Sequence, residues 1–573
     1  MFFVFMKVKL LILLVIASFF AYSQQGGGYP CYPLPVKYEI DLSATFGELR
    51  NNAFHAGVDI KTGGKVGKSV YAVAGGYVSR IGVSPYGYGK VVYITHDDGF
   101  MSVYAHLDSF NSTIGGYVKE KQLESRSFRQ NLMLKKDEIR VCAGDFIGLS
   151  GDSGGSGGPH LHYEIRDAKT QHPINPYLFG LSIVDNVSPV INGLAVYPEH
   201  LSSVNGNESP EYFRLSNNKS DYSVNKGVIK VNGTVTFGIS TFDRTENNNN
   251  KYGVNSIELF ADNELIYSVL FDEFSYDETR SINSLIDYAR YVNAKRRYVR
   301  TKIDEYNYLS LYEKKDGSVT LKEGDTVAMC FVVKDFFNNT STLNFILVGD
   351  EPLMEYSVNQ YNSDVYRVVG DTDYSIELDG LSAFFPKKAF FRFEYVQAFA
   401  VDTLKNIASD NAYVIGSMDI PLQKAAEIKI RPSKEFAFSD KLYVATVSDD
   451  GSFSSLGGKM VDGMMNVKCM SLGMFALAAD TVSPSVKTLN FHDNSNISGL
   501  NRLKVKIKDS ETGIRSYDIF VNGQWVVGEY DAKNDLLFYD VDGNIRNGSN
   551  KIEIVVTDNV GNESRLESTV FSD

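Results

Sequence analysis

A mainly β protein built from several domains is what this chain predicts, and three observations predict it. Between Pro35 and Tyr177, short runs of β-branched and aromatic residues alternate with glycine-containing turns. Beyond residue 180 the texture changes to longer alternating segments, and one set of motifs there recurs near the end of the chain. The length of 573 residues also exceeds what one ordinary core accommodates. With 43% hydrophobic and 22% charged residues the composition is globular. A net charge of -13 argues against nucleic acid as a partner, because phosphate binding needs a basic surface, and it gives no attraction to anionic lipid.

Taken in order, residues 1–23 read as a secretory signal. Lys7 and Lys9 precede an apolar run, Leu10 to Ala21, that is short for a bilayer span, and Ala21-Tyr22-Ser23 offers small residues before Gln24. Since the residues before Met6 are apolar, translation starting at Met6 fits better, and a retained anchor is the alternative. No other segment reaches transmembrane length, so the expected location is outside the cytoplasm, in the periplasm, the cell envelope or the medium.

Residues 24–180 are expected to form one domain. Val70–Val73, Gly76–Ile81, Lys90–Thr95 and Met101–Ala105 have strand composition, and the tight turn at Asp98-Gly99 predicts antiparallel pairing. A glycine-rich loop then leads into His160-Leu161-His162-Tyr163-Glu164. If this stretch is extended, its period of two puts both imidazoles on one face, with Leu161 and Tyr163 on the other. A hydrolytic metal site needs about three protein ligands and one open position. His55 and Asp59, four apart, share a face if they too lie in a strand, and His106 follows the run Met101–Ala105 at its end. Spacing alone does not decide which of His160 and His162 would touch a metal.

Five stretches carry a resemblance to a known family. They are Phe46-Gly47-Glu48-Leu49-Arg50, His55-Ala56-Gly57-Val58-Asp59, Gly87-Tyr88-Gly89, Tyr104-Ala105-His106-Leu107 and Gly158-Pro159-His160-Leu161-His162-Tyr163-Glu164. In this order they resemble the lysostaphin-type (LytM-type) zinc metallopeptidases, which cut peptidoglycan cross-link peptides. The resemblance implies an antiparallel β metallopeptidase domain holding Zn2+ on His55, Asp59 and His162, with His106 and His160 as the catalytic pair. It implies a secreted endopeptidase acting on peptidoglycan peptides. A non-catalytic wall-binding or regulatory protein of the same fold is the alternative, although such relatives commonly lose ligands and all five residues are present here. Residues 107–143 are longer than the family's usual connection and read as an insertion beside the cleft.

After residue 180 a repeat appears. Asp185–Pro189 recurs as Asp480–Pro484, Gly253–Phe260 as Gly513–Phe520, and Val333–Asn339 as Val556–Asn562. The two copies, 181–350 and 480–573, resemble bacterial immunoglobulin-like β-sandwich domains. Ile282, Leu285, Ile286, Ala289 and Val292 fall at helical spacing inside the first copy and predict a helix packed on it. Residues 351–479 are β-rich and carry no recognisable motif, so spacing or wall attachment is the expected role.

The same residues admit competing chemistries. Gly151-Asp152-Ser153-Gly154-Gly155 is a local match to the nucleophile loop of chymotrypsin-type enzymes, which need a His and an Asp in separate contexts. Two histidines and a carboxylate also make the facial triad of iron oxygenases, for which a signal peptide is the wrong setting. Tyr88 is a candidate for the cleft wall, His96 for support behind the ligands, and Glu164 for orienting one. Cys31, Cys142, Cys330 and Cys469 lie too far apart for a zinc cage. They read as buried free thiols, with a Cys31–Cys142 disulfide as the alternative.

Overall fold

Alternation of apolar and polar residues, read along the chain, becomes two-faced sheet almost throughout residues 28–246, 249–315, 317–354, 363–402, 404–436 and 439–573, which the computed structural model describes. The signal segment, 1–23, lies outside the described residues. In the first domain the strands β1 (Leu42–Ala44), β2 (Val58–Lys61), β3 (Gly76–Val83), β4 (Lys90–His96), β5 (Phe100–Phe110), β6 (Arg140–Val141) and β7 (His160–Asp167) share one sheet. Their order across it is β1-β2-β7-β5-β4-β3-β6, and every pairing along it is antiparallel. Val58, Ile60, Tyr104, Leu161, Tyr163 and Ile165 are buried in the core beneath. Each such aliphatic side chain contributes about 1.5–3 kcal/mol by leaving water. The opposite face of β7 carries His160, His162, Glu164 and Arg166 in succession.

The stretch read as an insertion folds onto this sheet. Helix α1 (Ser112–Ser125) starts at Asn111, whose side chain accepts from the Ile114 N–H, and it buries Ile114 and Val118. The strand after it, Gln130–Met133, and then β6 both pair with β3, so the extra residues widen the sheet.

Strand β8 (Asp221–Phe242) organises the next unit by changing partners. Its second half pairs antiparallel with Val190–Pro198, while its first half runs parallel to Thr340–Gly349. One parallel pairing therefore enters a unit whose other strands pair antiparallel, and the switch lets one chain segment border both layers. The core between the layers does not stop at the domain edge, because Phe46, Phe54 and Ala56 of the first domain lie in it beside Phe271 and Phe274. The helical insert differs from expectation. It breaks into α2 (Ile282–Leu285) and α3 (Tyr288–Ala294), because Ile286 is extended and the Asp287 carboxylate caps the Arg290 N–H. Ile282, Leu285 and Ile286 are buried, whereas Ala289 is exposed and Val292 only partly covered.

Two sheets of six and five strands enclose a third core within residues 365–479, and two sheets of four and five enclose a fourth within residues 485–572. All four cysteines are free. Cys31 and Cys142 are exposed thiols, neither joined nor buried, and both lie outside the strands.

Candidate active site

Register brings the first two ligating groups together. Asp59 on β2 stands directly across from His162 on β7, and its Oδ1 lies 2.8 Å from His162 Nδ1. His55 reaches the same point by a route that spacing did not anticipate. It precedes β2, in a bend at Ala56-Gly57, and its backbone is tied to Glu48 and Gly47. The bend presses Gly57 onto β7, where an added Cβ would stand 2.2 Å from the Tyr163 carbonyl oxygen, so only glycine fits. His55 Nε2 then lies 3.1 Å from both Asp59 Oδ1 and His162 Nδ1.

The partners behind each ring set its tautomer. His55 Nδ1 donates to the Thr45 carbonyl oxygen at 2.7 Å, and His162 Nε2 donates to Glu164 Oε1 at 2.7 Å. Both remaining nitrogens therefore present lone pairs toward Asp59 Oδ1. Arg50 holds the other oxygen, Oδ2, at 2.8 Å. Three acceptor atoms this close repel one another unless a proton or a metal cation lies among them. That donor set, two imidazole nitrogens and one carboxylate oxygen with their outer partners in place, fits Zn2+.

His106 and His160 stand beside this group, with ring centroids 4.9 Å apart. His106 was expected at a strand end but lies inside β5, in the left-handed region at φ 58°. Pairing slips on both sides of it, and the irregularity turns its ring toward the ligands. Its Nδ1 donates to the Ser153 carbonyl oxygen at 2.9 Å, leaving Nε2 as the acceptor. His160 Nδ1 donates to the Gly158 carbonyl oxygen at 2.8 Å, and its Nε2 is 3.5 Å from Asp59 Oδ1.

Charge follows from burial and partners. Burial pushes His55 down, and it lowers His106 to about 4 with help from His162 and His160. Burial also works against a charged His162, yet the bonds to Asp59 and Glu164 carry it up to about 9. For Asp59, burial is outweighed by the attraction of His55 and the bonds from His160 and His162, which hold it well below the usual carboxylate range. Glu164, fully buried, is held at about 2 by Arg166 and His162 against its desolvation. The field that favours a proton at His162 Nδ1 favours a metal cation in the same place.

Other candidates sort themselves by contact. Tyr88 belongs to the site, since its hydroxyl donates to Glu164 Oε1 at 2.5 Å and its carbonyl accepts from the His106 N–H. His96 faces the core instead, bonded to Ser102 and Gly75. Ser153 is no nucleophile in this geometry, because its hydroxyl donates to the Leu107 carbonyl and His106 meets its backbone oxygen. Gly154, at φ 72°, is packed against Gly87 and Gly89, so part of the glycine loop is a fixed turn. Sequence reasoning gave no role to Arg166 and Tyr276 and quoted Arg50 only within a motif. Arg166 shares the polar face of β7 and pairs with Glu164 at 2.6 Å, a placement that the period of two could have shown. Tyr276 comes from the next unit and donates to Glu164 Oε2 at 3.1 Å.

A carboxylate and two imidazoles converging beside two further imidazoles make a centre able to hold a metal ion. The family follows from the sequence around it, for residues 53–131 match the profile of peptidase family M23, and the chain carries a domain of that family. Residues 365–480, to which sequence reasoning assigned no family, match that of the Zu5-like domain. Over 158 residues the chain is 31% identical to the DD-carboxypeptidase/endopeptidase Mpg of Neisseria meningitidis, covering 27% of this chain and 29% of that protein. Lysostaphin of Staphylococcus simulans is 30% identical over 142 residues, covering 25% and 21%. The matched stretch thus spans less than a third of either relative. Among solved structures, the catalytic domain of lysostaphin from the same organism is 26% identical, covering 26% of this chain and 87% of that one at a TM-score of 0.17.

Proposed function

We propose that this chain is a secreted, zinc-dependent endopeptidase that hydrolyses peptide cross-links of peptidoglycan, with His55, Asp59 and His162 as metal ligands and His106 and His160 as catalytic residues. The observation that carries the reading is the convergence of His55 Nε2, Asp59 Oδ1 and His162 Nδ1 within 3.1 Å of one another. The names of the relatives, an endopeptidase and lysostaphin, support the substrate class.

Zinc bound there would supply a Lewis acid that lowers the pKa of water toward about 7 and polarises an amide carbonyl. The chain's own groups do the rest. His106 Nε2, kept unprotonated by burial, accepts a proton from the attacking water, and its fixed Nδ1–H holds the ring in place. His160, anchored through Nδ1, donates from Nε2–H in its imidazolium form to the oxygen that gains charge, and the proton taken up by His106 passes to the departing amine. Arg50 and Glu164 position the ligands without meeting the substrate. Retention of all five side chains in mutual contact supports hydrolysis over a purely wall-binding role.

The test is incubation of purified protein with intact peptidoglycan, before and after chelation and again with zinc restored, with fragments identified by mass. Zinc-restored release of cross-linked peptides is expected. His106→Ala should retain zinc and lose about 10²–10⁴ in rate, whereas His162→Ala should lose the metal. Undiminished hydrolysis after complete chelation would sink the reading.

A further inference from the structure

Three buried carboxylates form a group separate from the histidine cluster, at the seam between the first domain and the unit that follows. Asp185 begins that unit, Asp243 follows the end of β8, and Asp335 opens the turn before Thr340–Gly349. One oxygen from each lies within 4.8 Å of the others. They line a cavity of about 20 Å³ whose walls include Thr45, Phe46 and Tyr177 of the first domain. That volume admits a single ion or water.

The decisive atom is Asp243 Oδ1. Asp243 is only 5% exposed, and its Oδ1 has no hydrogen-bond partner among the described residues. Native proteins rarely leave a buried carboxylate oxygen in that state. The neighbouring charges are of like sign, Asp335 and Asp185 beside Asp243 and Glu246 beside Asp185, and the Arg244 N–H is the opposing contact on the Asp243 carboxylate. Burial and this crowding push Asp243 up to about 8.

The second copy of the repeat serves as an internal comparison. It assembles Asp480, Asp509 and Asp558 in the same way. There the oxygens are met by the protein. Asp480 accepts from the Val482 N–H and the Thr512 hydroxyl, Asp558 from Val560, Asn562 and the Asn562 side chain, and Asp509 Oδ1 from three backbone N–H groups. In the first copy Asp185 accepts likewise from the Val187 N–H, and Asp335 from the Asn339 N–H and side chain, so the copies differ at the third acid, where Asp509 Oδ1 has three donors and Asp243 Oδ1 has none among the described residues.

We infer that Asp185, Asp243 and Asp335 bind a divalent cation of the Ca2+ class, which joins the first sandwich's loops against the peptidase domain. Ca2+ suits a site of carboxylate oxygens that keeps room for backbone carbonyls or water, and it tolerates irregular geometry. Tyr177, stacked on Phe336 at 4.8 Å beside Asp335, would transmit the bracing to the peptidase domain.

The experiment uses the whole chain, zinc-loaded at its histidine site, stripped of other ions and titrated with Ca2+ by calorimetry and by thermal unfolding. One Ca2+ per chain is expected, with the unfolding midpoint raised by about 5 °C at a hundredfold excess over Kd. Asp243→Asn should weaken binding at least tenfold while unfolding in chelator no earlier than the parent, since one of three like charges is gone. Asp335→Asn should act in the same direction, and Asp509→Asn should leave Ca2+ binding within twofold. Heat-free titration and an unmoved midpoint at millimolar Ca2+, the range of the weakest natural sites, would overturn the inference. So would a Ca2+ response that survives Asp243→Asn or disappears with Asp509→Asn.

Discussion

The two sandwiches that share a repeat meet the peptidase domain in opposite physical ways. The first is fused to it by an apolar core, in which Phe274 packs 5.2 Å from both Phe46 and Phe54, and it sends Tyr276 to Glu164. The last touches it chiefly through charge. Lys533 donates to the Asp152 and Ser156 carbonyl oxygens of the glycine loop, Lys90 pairs with Glu529 at 2.7 Å, and Lys119 reaches Asp542 at 3.9 Å. A shared sequence pattern therefore determines the sandwich but not its docking. Apolar contact makes the first joint insensitive to salt, while half-exposed ion pairs make the last one weak and screened.

Truncation at the apolar joint should have the largest effect. Phe274→Ala, at a residue 1% exposed, is expected to cost about 3–5 kcal/mol in denaturant unfolding. An effect below about 1 kcal/mol would mean that the two domains are not one cooperative unit. Tyr276→Phe tests the polar reach of the same joint and keeps the ring. Loss of one hydrogen bond on the carboxylate behind His162 should lower zinc affinity by about tenfold, measured by competition with a chelating dye. Unchanged affinity would confine the first sandwich to a structural role.

Lys533→Ala should cost least, under about 1 kcal/mol. Its signature is local, namely faster amide exchange in residues 151–158 with the rest of the sheet unaltered. In the parent, raising salt from 0.05 to about 0.5 M should produce the same local change, because screening at that strength falls within a few Å. A salt-insensitive loop would show that the last sandwich docks by its apolar contacts, where Tyr517 and Val527 pack against the peptidase core.

Much of the site could be read from the chain because strand periodicity is local. His160, His162 and Glu164 share a face in the structure as the period of two requires, and Leu161 and Tyr163 face the core. The same rule misplaced His55, which shares no strand with Asp59, since the close approach of Gly57 to β7 forces a bend that spacing does not encode. It also gave no account of His106, whose left-handed backbone depends on how two neighbouring strands slip. The regular helix expected over 282–292 failed at Ile286, where a bridge to Val299 outweighs helical continuation.

By itself the sequence determined the mainly β architecture, the domain of family M23 and the set of histidines and aspartates available for chemistry. These rest on residue type and short-range period, which no distant contact alters. Only the tertiary structure decided the rest. It chose the nitrogen that each imidazole turns inward, because Thr45, Ser153, Gly158 and Glu164 accept from the other. It brought Tyr276 to the site across a domain boundary, and it left Asp243 Oδ1 without a partner among the described residues where Asp509 Oδ1 accepts from three backbone N–H groups. Hydrogen-bond partners of buried groups come from wherever the chain happens to pass, and that is a property of the fold rather than of the local sequence.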